Sequence, residues 1–414
     1  MSLTISHFSA WLFFLGLGFS AFYVFPSGNP QPTDFLLALA SMMLILTNIK
    51  HLCGWRVLWP MVALTVWVAA VSIGWSAVYP SGLFYRPPLF YAFNCLFMFA
   101  VVNLFYYLDR PVHVFAAVVQ LALFISGVGV FLSFLMPDIL IARESLRITG
   151  FFNNPNQLAY YNLCMLATLL ILKGGQLTNR PFGLLAVASG IIGILAASSL
   201  GAMAGLFFIV MAIIVGNWNS AGKLLKVVWG GILLVSLVGV FDLYTGGGVV
   251  DRVDTRLGSL ERKMDQLESE RKYDRILAYP EYWWVGAAEG STERFPGYEG
   301  GEIHSSFGNM LFAYGFVGLG LFLLLLWRAV RFAPLYAWLC LAAPLTYSLT
   351  HMGLRNTAFW FLIVVMLVYF RYSRAPSRVS SRQRMRQSIG TRASPLGRLG
   401  NRGSQVDPVR SRFR

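Results

Sequence analysis

Long apolar stretches follow one another along this chain, separated by short clusters of Pro, Gly, Asn, Ser and charged residues. Buried strands run for about four to eight residues, and these stretches are far longer; they match the about 20 residues that an α-helix needs to cross a hydrocarbon layer roughly 30 Å thick. The pattern predicts spans near 8–25, 35–49, 57–79, 87–108, 112–136, 156–174, 181–197, 200–217, 224–241, 306–327, 333–350 and 356–371. The fold class it implies is all-α: a polytopic membrane helix bundle of about twelve transmembrane helices, with one large loop, 242–304, between the ninth and the tenth. Residues 1–371 form the membrane domain in this reading, and 372–414 a disordered basic tail on the cytoplasmic side.

The connections alternate in charge. Lys50, Arg56, Arg110, Lys173, Arg180, Lys223, Lys226, Arg328 and Arg331 all fall on one side, together with the tail; from Arg371 to Arg414 the chain carries twelve arginines against one acid. Basic loops stay cytoplasmic, so that side faces in. The opposite side receives the turns near Pro26–Pro32, Tyr79–Arg86, Pro137–Pro155, Ser198–Ser199 and Thr350–Arg355, and the long loop. Arg86, Arg143, Arg147 and Arg355 are basic residues on the side where topology selects against them. Snorkelling to headgroups accounts for Arg86 and Arg143; Arg147 lies in a polar knot, RITGFFNNPNQLAYY (147–161), and asks for a partner.

Composition sharpens the picture. The chain is 57% hydrophobic and only 12% charged, with a net charge of +15, most of it in the tail. A basic tail beside a last span suits anionic headgroups of a lipid bilayer rather than nucleic acid. The four cysteines show no metal-ligand spacing and read as packing residues. The outward loop holds 13 of the 18 acidic residues, and no Asp or Glu lies mid-span. Ion-coupled transporters bind their ions at intramembrane carboxylates, so the pattern argues against a flippase or other transporter, the alternative class that many spans also suit. Within the loop, Val253, Leu257, Leu260, Met264 and Leu267 form an apolar stripe on a charged helix.

Of five histidines, His304 and His351 fall on the outward side. His304 stands where the loop enters the tenth span, with Glu302 two residues earlier and Arg271, Lys272 and Arg275 upstream. His351 and Arg355, four apart, form a second candidate pair. No Asp-x-Asp occurs.

RITGFFNNPNQLAYYNL together with EIHSSFGNMLFAYGFVGLGLF resembles the motifs of the O-antigen ligase and O-antigen polymerase superfamily, bacterial membrane glycosyltransferases acting on polyprenyl-diphosphate-linked glycans. The likeness covers about 140–330. Arg147, Gly150, Asn154, Pro155 and Asn156 meet its first motif; His304, Gly315 and Gly318 meet its second. Arg271 before PEYWWVG (280–286) looks like the arginine between them, with Arg275 as the competing assignment. Ser305 stands where the family usually has asparagine.

The resemblance implies a metal-independent, inverting transfer without cofactor, at the periplasmic face of the bacterial inner membrane. The acceptor would be another glycan or a lipid A core, with polymerisation slightly favoured over ligation. Guanidinium groups grip phosphate oxygens bidentately, which suits Arg147 and Arg271 to the departing diphosphate. A neutral imidazole suits His304 to the acceptor hydroxyl, with Glu302 orienting it. Asn154 and Asn156 would present the start of the sixth helix to the diphosphate, and Arg275, His351 and Arg355 would line the same cavity.

Overall fold

The computed structural model describes residues 2–26, 28–47, 54–136, 141–142, 147–177, 180–222, 271–298 and 301–372. The expected ninth span, the apolar stripe from Val253 to Leu267, Arg143 and the arginine tail lie outside the described residues. The helices are α1 (Ser2–Gly18), α2 (Pro32–Thr47), α3 (Trp55–Val78), α4 (Arg86–Tyr107), α5 (Pro111–Leu135), α6 (Pro155–Leu172), α7 (Pro181–Ala196), α8 (Leu200–Asn217), a short α9 (Asp274–Ala278), α10 (Ser306–Val330), α11 (Leu335–Thr350) and α12 (Thr357–Tyr372). Eleven of them, all but α9, lie over eleven of the twelve expected stretches.

Helices α3, α4 with the 3₁₀ turn before it, α5, α8 and α10 are long and apolar enough to cross a membrane. Several others are shorter, within two residues of the lengths the pattern predicts. At 16 residues, α2, α7, α11 and α12 each rise about 24 Å. Polar turns cut them off: Ser198, at φ 49°, and Ser199 end the α7 stretch before α8 begins.

Proline starts many of these helices. Pro32, Pro111, Pro155 and Pro181 sit in first turns, where the missing N–H costs nothing. Two helices form the centre. Nearly every side chain of α6 is buried, and Ala358 to Val368 of α12 are buried without interruption. A helix apolar all round belongs inside the bundle. Tyr91 of α4 and Phe322 of α10 meet Trp360 of α12 edge-on, Phe97 of α4 meets Phe361 edge-on, and Tyr160 of α6 stacks on Phe359. Exposed Trp11, Val66, Leu89, Phe131 and Phe207 form the apolar outer surface.

The connections expected to face outward gather at one end. The Tyr23 N–H donates to the Phe151 carbonyl and Asn153 Nδ2 to that of Phe25, joining the first turn to the knot. The Tyr347 hydroxyl donates to the Asn156 carbonyl, and Tyr273 to that of Leu349. At the other end, Arg328 donates to the Arg56 carbonyl and Asn217 to that of Gly175.

One departure from an all-α fold stands at the knot itself. Ile141–Ala142 (β1) and Arg147–Ile148 (β2) pair antiparallel, Ile141 opposite Ile148 and Ala142 opposite Arg147.

Helix α10 is broken at Gly315, whose backbone (φ 66°, ψ −169°) is open to glycine alone. The loop segment Trp283–Ala288 fills the break. The Phe316 N–H donates to the Trp283 carbonyl at 2.7 Å, and the Ala287 and Ala288 N–H groups donate to the Phe312 and Ala313 carbonyls, both at 2.8 Å. Two indoles of α3 complete it: Trp67 Nε1 donates to the Tyr314 carbonyl and Trp75 Nε1 to that of Gly286. Irregular backbone at such depth is tolerated where protein re-satisfies its polar groups. Gly286 and Gly315 permit the approach, since a Cβ on either would fall within 2.3 Å of a backbone oxygen of the other segment.

Candidate functional site

Within the knot, Gly150, at φ 55°, lies in a turn that carries the chain from β2 into α6. The Asn154 side chain caps α6, accepting from the Gln157 N–H at 2.9 Å. Its oxygen is thereby committed. Asn153 is tied to the Phe25 carbonyl. Asn156 is the asparagine that meets the arginine: Arg147 donates from Nη2 to Asn156 Oδ1 at 2.9 Å and from Nε to the Ala197 carbonyl at 2.7 Å. That carbonyl caps the C-terminal end of α7, the negative end of its dipole. The guanidinium is thus held between the start of one helix and the end of another.

Tyr347, one turn from the end of α11, joins this arginine to the loop. Its hydroxyl donates to the Asn156 carbonyl at 3.3 Å, its ring lies between those of Tyr160 and His351, and the charges of both Arg147 and Arg271 bear on its phenol. Arg271 in turn accepts, through its carbonyl, the backbone N–H of His304 at 3.2 Å. The charges of Arg147 and Arg271 thus act on one buried tyrosine, and His304 is bonded through its backbone to the second of them. The Nε of Arg271 is buried with no hydrogen-bond partner among the described residues, a state that native proteins seldom leave unfilled.

His304 precedes α10, which Ser305 caps by accepting from the Gly308 N–H. Burial first, then the Arg271 charge, holds the imidazole below its ordinary value of 6.5; Lys272 adds to this and Glu302 opposes it. A depressed value leaves the ring neutral at neutral pH, as a proton acceptor requires.

The two competing arginines have different surroundings. Arg275 is buried in the loop's own aromatic core: its Nη2 donates to the Tyr298 and Gly301 carbonyls, and its plane faces the rings of Phe295, Tyr298 and Phe312. It staples the loop. Arg271 is the one beside His304 and Tyr347. Arg294 plays a similar structural part to Arg275, seated among Trp75, Phe84 and Phe295 and bonded to the Ala287 and Ala288 carbonyls. Burial lowers it to about 10.

Arg355 and His351 each meet other groups. His351 Nδ1 lies 3.0 Å from the Thr350 hydroxyl, and its ring stacks on Tyr347 with centroids 4.4 Å apart. Arg355 grips both oxygens of Glu302, at 3.0 and 2.9 Å, from Nη1, and Glu289 Oε2 at 2.9 Å from Nη2. Glu302 therefore reaches His304 through its charge, while its hydrogen bonds go to Arg355. Glu289 is the residue that the hydrophobic pattern conceals. No carboxylate lies mid-span in the sequence, yet the loop delivers this one into the bundle, where its other oxygen accepts from Asn309 Nδ2 and from the Tyr314 hydroxyl, two turns into α10. Burial penalises the Arg355 charge, and the two carboxylates more than compensate, so it stays protonated throughout. Tyr347 was equally silent; its place four residues before His351 is the one signal pointing to it.

Among the described residues no three His, Cys, Asp or Glu side chains gather as metal ligands. The sequence matches no protein-family model and no curated protein.

Proposed function

We propose that this chain is a membrane glycosyltransferase that moves a glycan from a polyprenyl diphosphate to a hydroxyl at the outward end of the bundle, as in O-antigen or exopolysaccharide assembly. One observation supports the reading: Arg147 is fixed on Asn156 and the Ala197 carbonyl, Tyr347 bonds the same Asn156, and His304 is tied through its backbone to Arg271, whose Nε is buried without a partner among the described residues. Departure of a lipid diphosphate builds negative charge, and fixed guanidinium groups stabilise it; one contact at 4 Å contributes about 4 kcal/mol at an effective dielectric near 20. Arg147 and Arg271 take that part. Neutral His304 accepts the proton of the incoming alcohol as the new glycosidic bond forms and the bond to the diphosphate breaks. With another glycan as acceptor, slightly favoured over a lipid A core, the enzyme would be a polymerase.

The test uses the full chain in lipid nanodiscs with an undecaprenyl-diphosphate oligosaccharide. Chain extension is expected in the wild type, with and without a chelator. His304→Ala should lower the rate by about 10² to 10⁴ at unchanged protein level. Undiminished transfer by that variant removes the base; transport of the lipid without any transfer removes the reading.

A further inference from the structure

Glu302 lies two residues before His304, close enough for its charge to act on the imidazole, yet both of its oxygens are occupied elsewhere. The occupant is Arg355, whose position is not left to Glu302 alone. Its second nitrogen is fixed on Glu289, a side chain only 8% exposed, whereas Arg355 and Glu302 are 41% and 52% exposed. Glu289 is in turn held by Asn309 and Tyr314 of α10, just beyond the segment docked into the helix break. A chain of contacts thus runs from the break in α10 through Glu289 and Arg355 to Glu302, and ends beside the imidazole. Among the described residues both salt bridges are made by Arg355.

We propose that Arg355 is a positioning residue for His304: anchored on Glu289, it holds the Glu302 carboxylate away from the imidazole and so keeps the ring available as a base. The proposal rests on the reading of His304 as that base. A carboxylate free to hydrogen-bond an imidazole favours its protonated form and would occupy the lone pair that must receive the acceptor's proton. Nη1 on both Glu302 oxygens prevents this at the cost of one exposed ion pair, and Nη2 on the buried Glu289 gives the guanidinium fork a fixed origin. The charged groups acting on His304 are Arg271 and Lys272 on the preceding loop and Glu302 on its own segment; Arg355 and Glu289 stand behind Glu302, and Arg147 and Tyr347 share the surroundings of Arg271.

The test is the pH dependence of His304 carbethoxylation by diethyl pyrocarbonate, which attacks the neutral ring, followed by peptide mass spectrometry on the full chain in nanodiscs. Arg355→Met is expected to raise the midpoint by at least about 0.5 pH unit, the scale of a newly adjacent carboxylate. Arg355→Lys, which keeps the charge but loses the fork, should raise it by less. Glu302→Gln alone should lower it by less than Arg355→Met raises it, and the double variant R355M/E302Q should return to the E302Q value. Such non-additivity is the signature of an effect routed through Glu302. A midpoint unmoved or lowered by Arg355→Met overturns the proposal. So does a rise of equal size in the E302Q background, which would mean that Arg355 acts by its own charge. Where Arg355→Met does not assemble, R355K against R355K/E302Q makes the same comparison. Because carbethoxylation needs no glycan transfer, an inactive wild type would remove the base reading while the coupling through Glu302 is still decided.

Discussion

Replacing Gly315 by alanine tests whether the loop is held by the broken helix. The glycine's φ of 66° with ψ of −169° lies in a region that costs a side-chain-bearing residue about 1–3 kcal/mol. The added Cβ would stand 2.2 Å from the Trp284 oxygen and 2.5 Å from its carbonyl carbon, both backbone, so no rotamer change relieves it. Relief requires the loop to lift, and lifting it breaks the bonds of Phe316, Ala287 and Ala288 across the break. At about 1 kcal/mol net for each hydrogen bond, strain plus the three lost bonds comes to about 4–6 kcal/mol. That corresponds to a fall in amide protection of about 10³ to 10⁴. Hydrogen exchange with mass spectrometry on peptides covering 283–288 and 310–320 measures it directly, in nanodiscs. Gly320 on the same helix is the control: its Cβ would meet nothing within 4 Å, so alanine there should leave protection unchanged or raise it slightly. If Gly315→Ala exchanges no faster than Gly320→Ala, the docked segment does not depend on the glycine geometry and the account of the break is wrong.

Arg147→Lys keeps the charge but gives up either the Ala197 or the Asn156 contact; glycan transfer should fall at least about tenfold at constant protein level, and full activity would show that net charge alone matters there. Because burial and Arg271 depress His304, the acid limb of the transfer rate should lie below pH 6.5, with a plateau through neutrality; a limb above 6.5 contradicts the assignment. The same depression means that the unfolded chain binds this proton first, so its contribution to stability is complete above about pH 6.5 and is lost as pH falls through the folded-state value. Asn154→Ala removes the α6 cap and should cost about 1 kcal/mol in thermal or denaturant unfolding while leaving the rate per folded molecule nearly unchanged; a large loss of rate would give its side chain a part in binding.

Hydrophobic periodicity was enough to place the apolar helices, because a backbone denied water must satisfy itself locally and the stretch that does so is written contiguously. The same local logic exposed the knot: Arg147 and Asn156 are close in the chain and flank one turn, and their contact follows from that turn. The ends of α1 were less legible, Ser2–Gly18 against an expected 8–25, since a nearly unbroken apolar stretch does not mark where its helix begins or stops. Glu289 and Tyr347 were invisible for a different reason. An acid between Ala288 and Gly290 in a polar loop carries no mark of burial, and a tyrosine in an apolar helix looks like packing. Only the docking of Trp283–Ala288 into the break of α10 carries Glu289 to Arg355, and only the convergence of α6, α11 and the loop makes Tyr347 the meeting point of two arginines. Which charges face each other is a long-range property of packing. Arg271 and Arg275 show it: four residues apart on one segment, one guanidinium is spent on the loop's own aromatic core, while the other residue takes the backbone bond of His304 and its charge bears on the ring.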